Sequence, residues 1–150
     1  MDASRAGFLR AMDVSCHSFL RMARLAEPLM PNGGCLLTMS YFGAEHVIEG
    51  YDLMGPVKAA LKAASRYAAS ELGPKGIRVH AISPGPLRTR AASALSHFDA
   101  LVSTVEQRAP LRHLVDIEDV GALAAFIVSD AAASITGGTL HVDGGYHILG

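Results

Sequence analysis

Apolar and polar positions along the chain repeat in two periods, and the switches between them outline alternating helices and strands. From Ser4 onward Phe8, Met12, Ser15 and Phe19 recur at helical spacing, which predicts a long helix capped by Ser4 and ended by Pro28 and Asn32-Gly33-Gly34. The apolar run Cys35-Leu-Leu-Thr-Met39 predicts a buried strand over 34–41 that closes at Ser40-Tyr41. A loop from Gly43 to Gly50 leads to Asp52, the expected cap of a second long helix, where Pro56 near the first turn loses little. That helix ends near Gly73-Pro74, and Lys75-Gly76 turns the chain into a strand over 77–83. Strand, helix and strand in this order build a parallel sheet with a right-handed crossover. Pro84-Gly85-Pro86 stops the strand at its carboxyl end, the edge where open α/β sheets place ligands, so a cofactor loop is expected there. Residues 91–108 predict one or two short helices with a break near Ser93. Asp116 caps a helix through Val128, and Thr139–Val142 is a last short strand. With no internal repeat, low-complexity tract or linker, residues 1–150 form one α/β domain or part of one.

Composition narrows the function classes. At 150 residues, half of them hydrophobic, the chain can bury a single core. Thirteen basic against fourteen acidic side chains give a net charge of -1, without the basic excess that nucleic acid binding needs. Trp is absent, which disfavours a base-stacking platform. Cys16 and Cys35 are isolated and expected to be reduced. No charged leader precedes an apolar stretch, Asp2 stands where a myristoylation pattern needs Gly, and stretches such as 122–128 fall short of the ~20 residues of a membrane helix. A cytoplasmic protein that does not span a bilayer is expected. The seven histidines form no His-Glu-x-x-His or other compact ligand set, and His141 and His147 are weakly patterned, so no metal is expected. No Gly-x-Ser-x-Gly elbow is present, which argues against a serine hydrolase.

The candidate chemistry lies in Tyr41, Tyr51 and Lys58, spaced ten and then seven residues apart. With Tyr51 at a helix entrance, Lys58 returns to nearly the same face two turns on, roughly 10 Å along the axis. A phenol can donate a hydrogen bond to an oxygen that becomes anionic. A nearby ammonium is expected to lower the phenol's pKa and to hold a cofactor's sugar hydroxyls.

Around these residues the chain resembles the enoyl-acyl-carrier-protein reductases, the NADH-dependent branch of the short-chain dehydrogenase/reductase superfamily. The resemblance runs through Ser4-Arg-Ala-Gly-Phe8, Ser40-Tyr41, Tyr51 to Lys58, Ile82-Ser-Pro-Gly-Pro-Leu-Arg-Thr-Arg-Ala-Ala-Ser93, Ile117-Glu-Asp-Val-Gly121 and His141-Val-Asp-Gly-Gly-Tyr146. In ketone and alcohol members of the superfamily the lysine follows the tyrosine by four residues, a position held here by Gly55. The glycine-rich phosphate turn of such folds is absent, and the glycine pairs at 33/34, 137/138 and 144/145 fit ordinary turns. The resemblance therefore implies the C-terminal part of a Rossmann-like doubly wound parallel sheet, lacking its N-terminal half. A fragment with three strands exposes sheet edge and apolar face unless something covers them.

The resemblance also implies roles. Tyr51 hydrogen-bonds the thioester carbonyl of a trans-2-enoyl chain, Tyr41 is the second active-site tyrosine, and Lys58 holds the nicotinamide ribose of NADH. Ser40, Leu87, Arg88, Thr89, Arg90 and Ala91 border the cofactor, with Leu87 meeting the carboxamide through its backbone and Thr89 offering a hydroxyl. Met54 and Phe98 contact the acyl chain, and residues 91–108 correspond to the mobile substrate segment. The implied activity belongs to fatty acid biosynthesis on acyl carrier protein, in a homodimer or homotetramer paired through long helices; the alanines at 59, 60, 63, 64, 68 and 69 would allow close approach. Two departures stand out. Ala92-Ser93-Ala94-Leu95 lacks the glycine often found there, and Ser96, Asp99 and Ala100 offer no basic contact for an acidic carrier, which leaves that attraction to Arg88, Arg90, Arg108 and Arg112. The alternatives are a noncatalytic remnant that self-associates or docks on a full-length homologue through the helices at 4–28 and 53–72, and a ketone or alcohol dehydrogenase.

Overall fold

The computed structural model describes residues 3–89 and 98–149. Three parallel strands, β1 (Gly34–Met39), β2 (Ile77–Pro84) and β3 (Thr139–Val142), form a sheet in that order. Gly34 pairs with Ile77 and Met39 with Ile82, while Ala81 pairs with Thr139 and Pro84 with Val142. The central β2 is buried along its length apart from half-buried Arg78, as expected of a strand paired on both sides. β1 is two residues shorter than predicted, although the Ser40 amide adds one more ladder bond to the Ile82 carbonyl at 2.7 Å.

The helices carry the core. Ser4 caps α1 (Arg5–Met12) as predicted, its hydroxyl accepting from the Gly7 amide at 3.1 Å. The single long helix expected after it is interrupted by a π-helical turn at Asp13–His17, before α2 (Ser18–Ala26) and a 3₁₀ turn at Glu27–Leu29. α1 buries no residue, whereas Cys16 in the wide turn and Phe19 and Ala23 on α2 enter the core. There they meet Val57, Leu61, Ala68 and Leu72 of α3 (Met54–Leu72) and Ile77 and Val79 of β2. Each full burial of a Leu, Ile or Val contributes about 1.5–3 kcal/mol. Cys16 and Cys35 are free thiols whose pKa burial raises.

Asp52 is not the cap of α3. It sits at a φ of 39°, and Leu53 holds the cap position without a side-chain bond. Consecutive turns satisfy the helix entrance instead: the Met54 amide donates to the Tyr51 carbonyl at 3.0 Å and the Gly55 amide to the Asp52 carbonyl at 3.2 Å. At the far end Gly76, with a φ of 71°, supplies the left-handed residue that turns the chain into β2. Beyond the sheet lie α4 (Phe98–Arg108) and α5 (Ile117–Val128). Asp116 caps α5 as predicted, in a reciprocal pair with Asp119. Arg78 reaches across from β2 to the carbonyls of Ile127, Val128, Ser129 and Ala132, which ties the end of α5 to the sheet.

Candidate active site

The carboxyl ends of β1 and β2 open into a cavity of about 410 Å³ lined by Ser40, Tyr41, Tyr51, Met54, Lys58, Leu87, Thr89 and Phe98, together with Met39 and Pro84-Gly85-Pro86. Eight of the site residues named from sequence are thus brought together. They reach the cavity from several elements: Ser40 and Tyr41 where β1 stops, Tyr51 at the turn before α3, Met54 and Lys58 on its first two turns, Leu87 and Thr89 past the Pro84 end of β2, and Phe98 at the start of α4.

The two tyrosine rings meet edge to face, with centroids 5.0 Å apart and planes inclined by 60°. Burial pushes both phenols up to about 12, with Tyr146 adding to the effect on Tyr41 and Tyr41 to that on Tyr51. The Tyr51 pKa is therefore raised rather than lowered as expected, with burial of the phenol as the leading cause. Burial also lowers the Lys58 pKa. Lys58 donates to the Met39 carbonyl at 2.7 Å, which pins the ammonium at the strand end and leaves two N–H donors uncommitted among the described residues. Ser40 is buried, and its hydroxyl has no partner there. An orphaned polar atom on a cavity wall is a place for a polar ligand atom.

Arg88 departs from its expected role. It does not line the cavity; its guanidinium pairs with Asp99 of α4 at 3.0 Å, with both side chains well exposed. Solvent leaves that guanidinium free to choose the nearest carboxylate. The Leu87 carbonyl accepts from the Thr89 amide at 2.8 Å, so the backbone expected to meet a carboxamide is already bonded on its acceptor side. Arg90, Ala91 and the altered 92–95 segment lie outside the described residues.

Three features were missed in the sequence. Met39 joins the cavity wall through its position one residue before Ser40. Lys62, one helical turn beyond Lys58, is buried and pairs with Glu45, whose carboxyl it holds below the usual range. The expectation that the histidines form no compact set is corrected as well, because His141, Asp143 and His147 bring ligand atoms within 4.8 Å of one another. The two imidazoles are stacked at 3.8 Å and 13°, with in-plane lone pairs in parallel planes rather than converging on one point. Asp143 accepts from the Gly145 and His147 amides at 2.9 and 2.8 Å and pairs with His147 Nδ1 at 2.9 Å, as the brace of the last turn.

The family model described as enoyl-(acyl carrier protein) reductase matches residues 1–147. The chain belongs to this family. It is 47% identical over 150 residues to the enoyl-(acyl-carrier-protein) reductase (NADH) FabI of Bacillus cereus, covering all of this chain and 59% of that relative. Among solved structures, the Bacillus cereus enoyl-acyl carrier protein reductase with NADP+ and indole naphthyridinone superposes with a TM-score of 0.97 at 47% identity, covering 99% of this chain and 58% of that one. The Anaplasma phagocytophilum enoyl-(acyl-carrier-protein) reductase in complex with NAD gives 0.93 at 46%, covering 99% and 55%. The chain thus spans little more than half the length of these relatives and takes in their C-terminal part. Its three strands are a portion of their Rossmann-like sheet, as predicted.

Proposed function

We propose that this chain carries the catalytic part of an enoyl reductase that saturates trans-2-enoyl thioesters on acyl carrier protein with NADH, in fatty acid biosynthesis. The observation that carries the reading is the convergence of Tyr41, Tyr51, Lys58 and the unpartnered Ser40 hydroxyl on one cavity at the carboxyl edge of the sheet. The residues fit a nicotinamide cofactor: the orphaned Ser40 oxygen and the two uncommitted Lys58 donors offer polar contacts beside the apolar Pro84–Leu87 wall. When bound, NADH supplies a hydride. Tyr51 donates a hydrogen bond to the thioester carbonyl oxygen as negative charge grows there, and its high pKa keeps it a neutral donor at pH 7. Lys58 holds sugar hydroxyls and adds positive field, Tyr41 packs the Tyr51 ring at its productive angle, and Met54 and Phe98 give the acyl chain an apolar wall. Gly55 leaves no lysine at the ketone-reductase position, which disfavours that chemistry.

The domain reading is one catalytic part over residues 1–150, acting in the cytoplasm; among the described residues no helix is long and apolar enough to cross a membrane. Exposed Met22, Leu25 and Leu29 near the chain's start and Tyr67 on α3 give an apolar face suited to a second copy of the chain. That face also favours a second reading, a noncatalytic remnant that docks on a full-length homologue. NADH oxidation with a trans-2-enoyl thioester, beside the Tyr51→Phe variant, tests the first: turnover should fall on the order of 10²-fold or more in the variant. A variant rate within a few-fold of the parent would sink it, and mixed oligomers without turnover would favour the second.

A further inference from the structure

The reaction described above leaves Lys62 and Glu45 without a part. We propose that Lys62 is a positioning residue that, by holding Glu45, clamps the turn at 42–45 onto the Tyr51 ring and so fixes the phenol in the cavity. Lys62 is 5% exposed, and its ammonium donates to the Glu45 carboxylate. Glu45 closes the 3₁₀ turn Phe42–Ala44, its amide donating to the Phe42 carbonyl at 3.0 Å, while the Ala44 amide donates to the Tyr41 carbonyl at 3.0 Å. The carboxylate is therefore joined to Tyr41 through a short stretch of backbone held by these turn bonds.

Inside that turn Gly43 is buried, and a Cβ there would stand 2.5 and 2.8 Å from two carbons of the Tyr51 ring. The backbone lies directly against the phenol. A Cβ on Gly55 would come within 3.0 Å of the Gly43 carbonyl oxygen, so the same turn also abuts the start of α3. Displacing the turn would uncover the Tyr51 ring and release the angle at which it meets Tyr41.

Stability alone does not account for the pair. Taking an ammonium out of water offsets most of what one carboxylate returns, and an apolar side chain of similar length generally does as well. Glu45 is 45% exposed and would rehydrate if Lys62 were made apolar, so the pair supplies a fixed position rather than net stability.

The test compares Lys62→Met and Lys62→Arg with the parent chain, reading melting temperature and the ¹³Cζ shift of Tyr51, assigned with Tyr51→Phe. At pH 8, where the Lys62 ammonium and the Glu45 carboxylate are both charged, the parent should give a single narrow Tyr51 ¹³Cζ line at its neutral-phenol position. Lys62→Met should melt no lower than the parent, yet its Tyr51 line at the same pH should shift or broaden as the turn leaves the ring, and Lys62→Arg should restore the parent behaviour. A catalytic arm, which rests on the reductase reading, should show kcat reduced roughly tenfold or more with KM for NADH little changed. An unchanged Tyr51 line at pH 8 in Lys62→Met overturns the proposal, as does a lowered melting temperature that Lys62→Arg fails to restore. Absence of turnover in the parent would count against the reductase reading alone, and the Tyr51 signal would still decide the clamp.

Discussion

The floor and the rim of the cavity are built on opposite terms. On the floor, Ser40 is buried, Tyr41, Tyr51 and Lys58 are half-buried, and each is fixed by a strand end or by α3. On the rim, Arg88 and Thr89 are exposed in a loop, and the Arg88–Asp99 pair bridges to α4 with side chains 68% and 86% exposed. The floor shifts the pKa of its groups through desolvation; the rim leaves its charges in water, where they interact weakly. Bond rearrangement needs groups held still, and rigid elements supply them; entry and release need groups that move, and a loop supplies those.

The largest expected effect lies on the floor. Lys58→Met keeps the buried stem but removes the charge, and turnover should fall on the order of 10²-fold with the fold retained. A loss of only a few-fold would mean that floor and rim contribute alike. Gly43→Ala comes next. Its added methyl meets the Tyr51 ring far inside contact distance, so the ring or the turn must shift, at about 1–3 kcal/mol in chemical denaturation. A stability within a few tenths of a kcal/mol of the parent would mean that the turn yields freely.

The phenols make a third comparison, through pH. Their folded pKa of about 12 lies above the ordinary value of 10, so the unfolded chain loses these protons first. The stability they confer is full below about pH 10 and drains away as pH rises toward 12. Denaturation midpoints should decline across that window, and Tyr51→Phe should flatten the decline. A parallel decline in the variant would place the alkaline sensitivity outside the floor.

The same division explains what the sequence could reveal. The three strands, both caps at Ser4 and Asp116, and the shared face of Tyr51 and Lys58 were legible because each follows from local period or spacing, while the family resemblance added Tyr41 to them. Asp52 looked like a cap and was not, since two overlapping backbone turns had already satisfied the α3 entrance. The π-helical turn at Asp13–His17 left no trace in an apolar period that continues through it. The Lys62–Glu45 pair joins residues seventeen positions apart across a loop, and the upward shift of the Tyr51 pKa comes from burial. Both are settled by packing, which spacing does not report.

The smallest expected effect belongs to the rim. In Arg88→Ala the lost partner is an exposed carboxylate that water solvates at once, so stability should change by about 0–1 kcal/mol. Added salt should weaken the parent's pair without weakening the floor, because screening acts on exposed charges and hardly on desolvated ones. A double-mutant cycle with Asp99→Asn measures the coupling. A coupling above about 1.5 kcal/mol would exceed what exposed pairs provide. It would mean that the bridge between the loop and α4 is as fixed as the floor, and the contrast between a rigid base and a loose edge would fail.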